Sequence, residues 1–278
     1  MGQSRLGFGS LYLTKFASSF GAITVYTLLG TYVEVLGAEG LVVGLFTTAL
    51  TLTQTVSVIP IAYAGDRFDK RSILLGAILV GVAAYVGFSF VESSTGFIVA
   101  RSIQGVALVG TGMLSLALVG QLAGTGERAN AIGKYNSFRM AAGIGGSLSA
   151  GALYAWYGFA PIFYLIAGLM LLAAAGIWLF LEPDETRVEG FAFTGLALNR
   201  RILTMTSFRA QYAVAVTLVR TWIPIYATLG HPRGGLALAS FLVGVAVASE
   251  KFTNMLGQPV MGRLSDRHGR IPFVAVGG

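Results

Sequence analysis

Residues 262–270 read GRLSDRHGR, and residues 64–71 read AGDRFDKR. Both stretches place an Asp-Arg pair, beginning at Asp66 and at Asp266, among further basic side chains. Such charged stretches stand out in a chain of which 55% is hydrophobic and only 11% is charged. Their recurrence indicates an internal duplication, and the segments around each copy decide the fold.

The chain is far more apolar than a soluble domain of its size. It has 278 residues and a mean hydropathy of +0.73, and long apolar segments follow one another along it. A helix of about 20 apolar residues crosses a bilayer, so each long segment is a candidate span. The sequence has no cysteine, which excludes disulfides, thiolate metal sites and cysteine nucleophiles. We therefore predict an all-α, polytopic membrane protein whose first span is an uncleaved insertion signal.

Eight complete spans are predicted. Their ranges are 10–37, 40–64, 72–91, 96–123, 130–155, 160–181, 202–229 and 236–261. A ninth apolar run begins at Ile271 and holds eight residues, which are too few to cross a bilayer. The pattern predicts an N-terminal six-helix bundle (1–181), a cytoplasmic linker (182–201) and a partial C-terminal bundle (202–278).

Lysine and arginine lie almost entirely on one side of the predicted membrane. The loops after even-numbered spans hold Arg67, Lys70, Arg71, Arg128, Arg187, Arg200, Arg201, Arg263, Arg267 and Arg270. The loops after odd-numbered spans hold Arg233 and acids such as Glu39 and Glu92. By the positive-inside bias, the N-terminus and the even-numbered loops face the cytoplasm. This topology accounts for the net charge of +7, so nucleic-acid binding is not predicted.

Each charged stretch follows the second span of its bundle, and both resemble a loop signature of the major facilitator superfamily (MFS). That signature is G-x-x-x-D-R-x-G-R after helix 2, with a looser repeat after helix 8. The second copy matches it at Gly262, Asp266, Arg267, Gly269 and Arg270. The first copy keeps Asp66, Arg67, Lys70 and Arg71, with Ala62 and Asp69 at the glycine positions. A second signature, R-x-x-Q-G on helix 4, is present as Arg101, Gln104 and Gly105.

The resemblance implies two six-helix bundles that give alternating access to a central cavity. Helices 10–12 would then be missing, so we expect the chain to be incomplete at its C-terminus. The resemblance also implies that the charged loops act as a conformational latch between the bundles; a topogenic anchor is the simpler alternative. Under the latch hypothesis, Asp266 lies close to Lys134 or to the end of helix 5, and Asp66 pairs only with its own loop arginines. Gly269, and less comfortably Asp69, would supply the positive φ of a tight turn.

Helix 5 carries Gly143, Ser147 and Gly151, spaced four residues apart. Small residues at this spacing form a ridge that lets another helix approach closely. The segment lacks the proline of the Gly-Pro-rich stretch that drug–proton antiporters of this superfamily carry. Drug efflux therefore stays open as a function.

Charges inside the predicted spans are the main candidates for mechanism, because each costs about 2.5–3.5 kcal/mol at a helix centre. The candidates are Arg101, Arg139, Arg220, Glu250 and Lys251. Lys15 and Arg209 lie near the cytoplasmic ends of their spans and can snorkel to the interface. Glu34 lies near the outer end of the first span and is expected to be hydrated. Neighbours such as Glu250 and Lys251 point about 100° apart on a helix, so we do not expect them to pair.

The family's arrangement of helices implies that Arg101 and Arg220 lie on the central cavity. It also brings Glu250 within reach of Arg139. Glu250 is the predicted proton-coupling residue, with Arg139 or Arg220 as its partner, because a carboxyl that changes partners can switch its protonation. A static ion pair is the alternative. Further cavity candidates are Tyr26, Tyr32, Gln54 and Gln104, each of which suits an interhelical hydrogen bond equally well.

No catalytic triad, paired carboxylates, HExxH motif or phosphate-binding glycine loop can be assembled from the sequence, so no enzyme, cofactor or metal site is predicted. The predicted function is secondary active transport of a small solute by alternating access, with protons as coupling ions. The excess of basic residues in the spans favours an anionic solute. The predicted location is the plasma membrane, with the protein embedded in the lipid bilayer as a multi-pass monomer. A non-transporting or incomplete membrane protein is the alternative.

Overall fold

The computed structural model describes residues 2–124, 126–184 and 200–268, with side chains for 5–124, 126–184, 203–204, 206–207 and 210–257. Within these residues all regular structure is helical, as predicted. The helices are α1 (Gly2–Thr27), α2 (Leu29–Val35), α3 (Leu41–Arg67), α4 (Lys70–Phe88), α5 (Ser94–Leu122), α6 (Arg128–Tyr157), α7 (Ala160–Phe180), α8 (Arg200–Thr228) and α9 (Ser240–His268). A 3₁₀ turn, His231–Arg233, lies between α8 and α9.

The first predicted span is broken. α1 and α2 meet at Leu28 with a bend of 48°, and Leu28 itself has φ −88° and ψ 3°. Beyond the bend α2 lies against α8, where a Cβ atom on Gly30 would come within 2.7 Å of the Pro224 carbonyl oxygen. The missing side chain at Gly30 therefore permits a close contact between the two helices. Hydropathy alone carried no sign of this break.

The helices extend further into the charged stretches than predicted. α3 continues to Arg67 and α4 begins at Lys70, so only two residues separate them. α9 continues to His268, through most of the predicted second loop. Arg and Lys are good helix formers, so a helix can continue through them once it leaves the hydrocarbon region. The prediction of a loop at Gly262, Asp266 and Arg267 was therefore wrong.

Asp69 caps α4 and does not adopt the positive φ expected of it. Its φ is −62° and its ψ is 114°, and its carboxylate accepts hydrogen bonds from the backbone N–H groups of Arg71 at 3.1 Å and Ser72 at 3.0 Å. These bonds satisfy N–H groups that the first turn of a helix leaves without intrahelical partners. The first copy of the motif thus uses a helix cap where the family has a glycine.

The connection before α9 is longer than predicted. After the 3₁₀ turn the chain runs back along the end of α8, where the N–H of Ala237 donates to Leu229 O at 2.9 Å and that of Leu238 donates to Ala227 O at 2.8 Å. Ala237 takes a positive φ of 52° at this point. These bonds delay the next helix to Ser240, four residues later than the apolar pattern suggested.

Four helices of the described part are long and apolar enough to cross a membrane by themselves, namely α3, α4, α5 and α7. The bent pair α1–α2 adds a fifth if it is taken as one span. α6, α8 and α9 are equally long but carry more polar and charged side chains, so composition alone does not identify them as spans. The chain therefore has the character of a multi-pass membrane protein.

Helices α1–α7 pack around one apolar core, and α8 and α9 attach at its side. The centre of the core is a group of buried rings, Tyr32, Phe46, Phe88, Phe97 and Phe163. The ring of Phe97 lies 4.5 Å from that of Tyr32 and 4.3 Å from that of Phe46, measured between centroids. α8 contacts mainly α2, and α9 contacts mainly α6.

The small-residue ridge on α6 lies against α9, as predicted. A Cβ atom on Gly151 would come within 2.7 Å of Phe241 Cα. Gly244 on α9 packs as closely against the Ser147 carbonyl oxygen, and Gly143 faces the stem of Lys251. Because glycine removes the side chains that would separate the helices, the two backbones lie in direct contact. The ridge therefore joins α8 and α9, the second block of helices, to α1–α7, the first block.

Candidate substrate and coupling site

Arg101 on α5 is completely buried, with 0% of its surface exposed. Its Nε donates to Phe46 O at 3.0 Å, and its Nη1 donates to Gln104 Oε1 at 2.8 Å. Gln104 Nε2 donates in turn to the Tyr85 hydroxyl at 2.9 Å. The R-x-x-Q signature therefore forms a hydrogen-bonded chain that links α3, α4 and α5. Arg101 does not line an open cavity here, contrary to the prediction.

Gly105, the last residue of the same signature, has a packing role. A Cβ atom there would come within 2.7 Å of Leu50 O and would overlap the hydroxyl of Thr53, both on α3. The side-chain-free position lets α3 approach α5 closely. Arg101 can then reach the Phe46 carbonyl across the gap.

The predicted cavity-lining residues separate into two groups. Tyr32 is 1% exposed and stacks on Phe159 with ring centroids 4.0 Å apart, so it belongs to the aromatic core. Tyr26 is half-buried, and its ring lies 5.0 Å from the guanidinium carbon of Arg101. Gln54 on α3 is also half-buried. Tyr26 and Gln54 therefore remain candidates for the cavity, and Tyr32 does not.

Glu250 on α9 lies among three polar partners. Arg220 Nη2 on α8 lies 3.4 Å from Glu250 Oε1, and Asn254 Nδ2 donates to the same oxygen at 3.1 Å. Lys251 Nζ contacts the other carboxylate oxygen, Oε2. The expectation that neighbours on a helix do not pair was wrong, because the long lysine side chain curls back to the carboxylate. Arg220 is the charge partner from another helix, while the described contacts of Glu250 do not include Arg139.

Two further cations lie next to this group, on α6 and α1. Arg139 is exposed and lies close enough to both Lys251 and Lys15 for the like charges to repel one another. The Lys15 ammonium sits over the Tyr135 ring, 5.3 Å from its centroid. Two basic side chains, Arg220 on α8 and Lys251 on α9, therefore contact the carboxylate of Glu250. The side chain of Arg209 lies outside the described residues.

The predicted outer ends of the two blocks are joined by polar contacts. Glu34 on α2 accepts a hydrogen bond from the Gly230 backbone N–H at 2.9 Å, so this exposed carboxylate has a protein partner as well. Glu39 lies 3.5 Å from Arg233 as an exposed ion pair. Beside them is a cavity of about 320 Å³, lined by Val33, Ala38, Glu39, Gly40, Val43, Trp222, Ile225, Leu229 and Arg233.

A buried ion pair organises the predicted cytoplasmic end. Lys70 Nζ lies 2.6 Å from Asp184 Oδ2, and the two side chains are only 8% and 9% exposed. The Asp184 backbone N–H donates to Asp69 Oδ1 at 2.7 Å. Arg71 Nη2 donates to Trp178 O at 2.5 Å. The start of the linker is therefore bound to the beginning of α4, and sequence spacing had not identified Asp184 as the partner.

The carboxylate of Asp69 is held in its charged form by these contacts. Burial raises its pKa, but hydrogen bonds from the Ser72 side chain and from the backbones of Asp184, Arg71 and Ser72 outweigh burial and lower it overall. A charged Asp69 is the form that caps α4 and holds the linker.

The acidic residues of the two charged motifs cannot be compared directly. Asp66 is half-buried and forms no ion pair among the described residues, since Arg67 lies over the Tyr63 ring and Arg71 reaches Trp178. The prediction that Asp66 pairs with its own loop arginines was therefore wrong. The side chain of Asp266 lies outside the described residues, as do Gly269 and Arg270, so its predicted contact with Lys134 is not tested.

Comparison with known proteins places these features in a family. The profile of the Major Facilitator Superfamily matches residues 11–278. An uncharacterized MFS-type transporter of Methanocaldococcus jannaschii is 24% identical over 281 residues, covering 99% of this chain and 72% of its own length. The multidrug resistance protein MdtG of Salmonella typhimurium is 26% identical over 187 residues, which is 65% of this chain and 46% of MdtG.

One solved structure shares the fold. It is a bacterial homolog of the human lysosomal transporter Spinster in an inward-facing and unoccupied conformation, with a TM-score of 0.72 at 15% identity. The match covers 96% of this chain and 64% of that chain. The chain thus spans less than two thirds of this structure and about half of MdtG.

Proposed function

The chain belongs to the Major Facilitator Superfamily, a family of membrane transporters, and we propose that the protein moves a small solute across the plasma membrane by alternating access, driven by protons. The observation that carries this proposal is the position of Glu250 between basic side chains from α8 and α9. A carboxyl with exchangeable charged partners can take up and release a proton as those partners move. Because the chain spans only part of its relatives, the activity is proposed for the whole protein.

The contacts between the two helix blocks on the predicted outer side support an alternating-access mechanism. On the predicted outer side Glu34, Glu39 and Thr31 contact residues that follow or begin the helices of the second block. These contacts are exposed or polar, so they can form and break at small cost. We propose that they hold the outer side closed, as a gate that opens when the second block moves.

The charged motifs are the proposed latch at the opposite, cytoplasmic side. Lys70 binds Asp184 at the start of the linker, so a movement of the linker is transmitted directly to α4. The first motif contributes Asp66, Arg67, Lys70 and Arg71, and the second contributes Gly262, Asp266, Arg267, Gly269 and Arg270. The proposed domain division is a six-helix bundle over 1–181, a linker over 182–201 and a second bundle from 202 onward.

Export of drug-like solutes is a second candidate function. It is favoured by the resemblance to proteins named multidrug resistance protein MdtG. The small-residue ridge on α6 lacks the proline of the drug-antiporter signature, so the resemblance to that group is partial.

The experiment uses the full-length protein in proteoliposomes that contain a pH-sensitive dye. Solutes of different charge are added under an imposed pH gradient, and proton movement is recorded together with solute uptake. We expect one class of solute to move protons, and we expect Glu250→Gln to abolish this movement while solute exchange persists. Glu92→Gln, which neutralises an exposed acid in a loop, is the matched control. No solute movement with any class would refute transport, and proton-driven uptake by the Glu250→Gln variant would remove Glu250 from the mechanism.

A further inference from the structure

The cavity at the predicted outer side lies between the two helix blocks and takes its walls from both. Each block contributes three apolar side chains, and the six residues are Val33, Ala38, Val43, Trp222, Ile225 and Leu229. The volume of about 320 Å³ is at the lower end of the range that small-ligand sites occupy. Because the walls belong to different blocks, the cavity exists only while the blocks lie against each other.

An ion pair stands at the mouth of this cavity. Arg233 Nη2 lies 3.5 Å from Glu39 Oε1, and the two side chains are 45% and 78% exposed. Exposed pairs contribute about 0–1 kcal/mol, so the two charges can separate at small cost. Both residues line the cavity, and the other residues that line it are uncharged. The mouth therefore offers a ligand one negative and one positive partner.

The inner end of the cavity has a hydrogen-bonding group to spare. Thr47 lies one turn after Val43 on the same face of α3, and side chains of a helix lean towards its start, which here is the side of the cavity. Thr47 is 6% exposed, and its hydroxyl has no hydrogen-bond partner in the described part of the chain. Buried polar groups are normally satisfied by a partner. The cavity thus combines a charged mouth, apolar walls and a polar inner end.

We propose that this cavity binds a small zwitterion with an apolar body, of the kind that a free aromatic amino acid represents, and that the bound molecule holds the outer side closed. The ammonium group pairs with Glu39, the carboxylate pairs with Arg233, and the apolar body lies against Trp222. A ligand with a single charge leaves one of the two charged residues without a partner, whereas a zwitterion replaces the whole ion pair. A cavity of this volume encloses one ring or short chain, and not the two acyl chains of a phospholipid.

Binding at this place selects one conformation. When the outer side opens, the walls separate and the ligand loses the contacts of one block. A ligand that binds one of two states shifts the equilibrium towards that state. An amino acid outside the membrane therefore slows transport without being moved itself. This step rests on the alternating-access mechanism proposed above, while the binding site does not depend on it.

The binding experiment uses the full-length protein in nanodiscs and calorimetric titration with L-phenylalanine. Phenethylamine and 3-phenylpropanoate, which keep the ring and one of the two charges, are the comparison ligands. Phenylalanine should bind about threefold or more tightly than either. It should also change the tryptophan fluorescence, and this change should be absent in Trp222→Phe. No binding, equal affinity for the three ligands, or a fluorescence change that persists in Trp222→Phe would overturn the proposal.

Charge variants test the two partners separately. In Glu39→Gln the ammonium loses its partner and Arg233 is freed, so 3-phenylpropanoate should bind more tightly than phenylalanine. In Arg233→Gln the preference should pass to phenethylamine for the corresponding reason. Glu92→Gln, which neutralises another exposed acid in a predicted outer loop, should keep the wild-type order of affinities. The wild-type order in both Glu39→Gln and Arg233→Gln would refute the assignment.

A reversible lock tests the link between binding and conformation. The hydroxyls of Thr31 and Ser240 lie 3.1 Å apart across the two blocks, and residues 1–278 hold no cysteine. Cysteines introduced at both positions should form a disulfide that keeps the outer side closed. The oxidised protein should bind phenylalanine at least as tightly as the reduced protein. Loss of binding on oxidation, with recovery on reduction, would contradict the proposed state.

Flux measurements separate this inference from the general transport proposal. External phenylalanine should slow solute uptake into proteoliposomes, less so in Glu39→Gln, and labelled phenylalanine should not accumulate. Binding that leaves uptake unchanged, or accumulation of labelled phenylalanine, would contradict the role in closing the outer side. Phenylalanine binding by a protein that moves no solute would contradict the transport function and leave this site standing.

Discussion

Arg101 and Arg220 are both arginines in membrane helices, but they occupy opposite environments. Arg101 is fully buried, and its Nε and Nη1 donate to a backbone carbonyl and to the side chain of Gln104. Arg220 is about half exposed and has one long contact with Glu250. The first arginine is part of the packed interior of the first bundle, whereas the second can change its partner. The comparison indicates that Arg101 organises the packing of the first bundle, whereas the pair of Arg220 and Glu250 contributes little to it.

The most direct way to break this comparison is the same conservative change at both positions. Arg101→Lys should lower the free energy of unfolding by about 3 kcal/mol, because a lysine cannot reach two acceptors in different directions and its ammonium is costly to bury. Arg220→Lys should change it by less than about 0.5 kcal/mol. Thermal unfolding in detergent measures both. Equal effects at the two positions would remove the distinction between the two regions.

A replacement without charge sharpens the same point. Arg101→Met removes the desolvation cost together with the hydrogen bonds, so it should be better tolerated than Arg101→Lys. A larger loss of stability in Arg101→Met would mean that the charge itself, and not its geometry, stabilises the bundle.

The buried pair at the end of the first bundle should behave like Arg101. Lys70→Met leaves the buried carboxylate of Asp184 without its closest cation, and we expect a loss of about 2 kcal/mol. It should also release the start of the linker, which limited proteolysis after Asp184 would detect as faster cleavage. Lys134→Met, at an exposed position, is the control. Unchanged stability and cleavage in Lys70→Met would show that the pair does not anchor the linker.

The contact between the two regions should be sensitive to a single methyl group. Gly151→Ala puts a Cβ atom against the backbone of α9 at Phe241, and we expect a loss of about 1–2 kcal/mol as the helices move apart. Gly133→Ala on the same helix, where a Cβ atom meets nothing within 4 Å, should be neutral or slightly stabilising. Cysteines introduced at Ala155, near the end of α6, and at Leu238, just before α9, can be cross-linked. The yield of cross-linking would report the distance between the two helices. Identical cross-linking in both variants would contradict the direct backbone contact.

Much of the fold could be predicted from periodicity and charge, since helix length and apolar composition follow from the bilayer itself. The spacing of Gly143, Ser147 and Gly151 predicted that another helix would approach α6 closely, and the family's arrangement of helices implied that this helix is α9. The break at Leu28 could not, because its neighbours are as apolar as the rest of the span. The partners of Glu250 and Lys70 depend on which helices lie side by side, and sequence spacing within one helix carries no information about the next. The positive φ predicted for Asp69 was wrong because the same position of the motif can hold either a turn-forming glycine or a carboxylate that caps the next helix.

The account depends most on the proposal that Glu250 carries the proton that drives transport. The direct measurement is proton movement into proteoliposomes that hold the full-length protein, recorded with a pH-sensitive dye while solute is supplied. We expect solute-dependent proton movement in the wild type and none in Glu250→Gln, whereas Glu92→Gln should behave as the wild type. The same proton movement in Glu250→Gln as in the wild type would contradict the proposal.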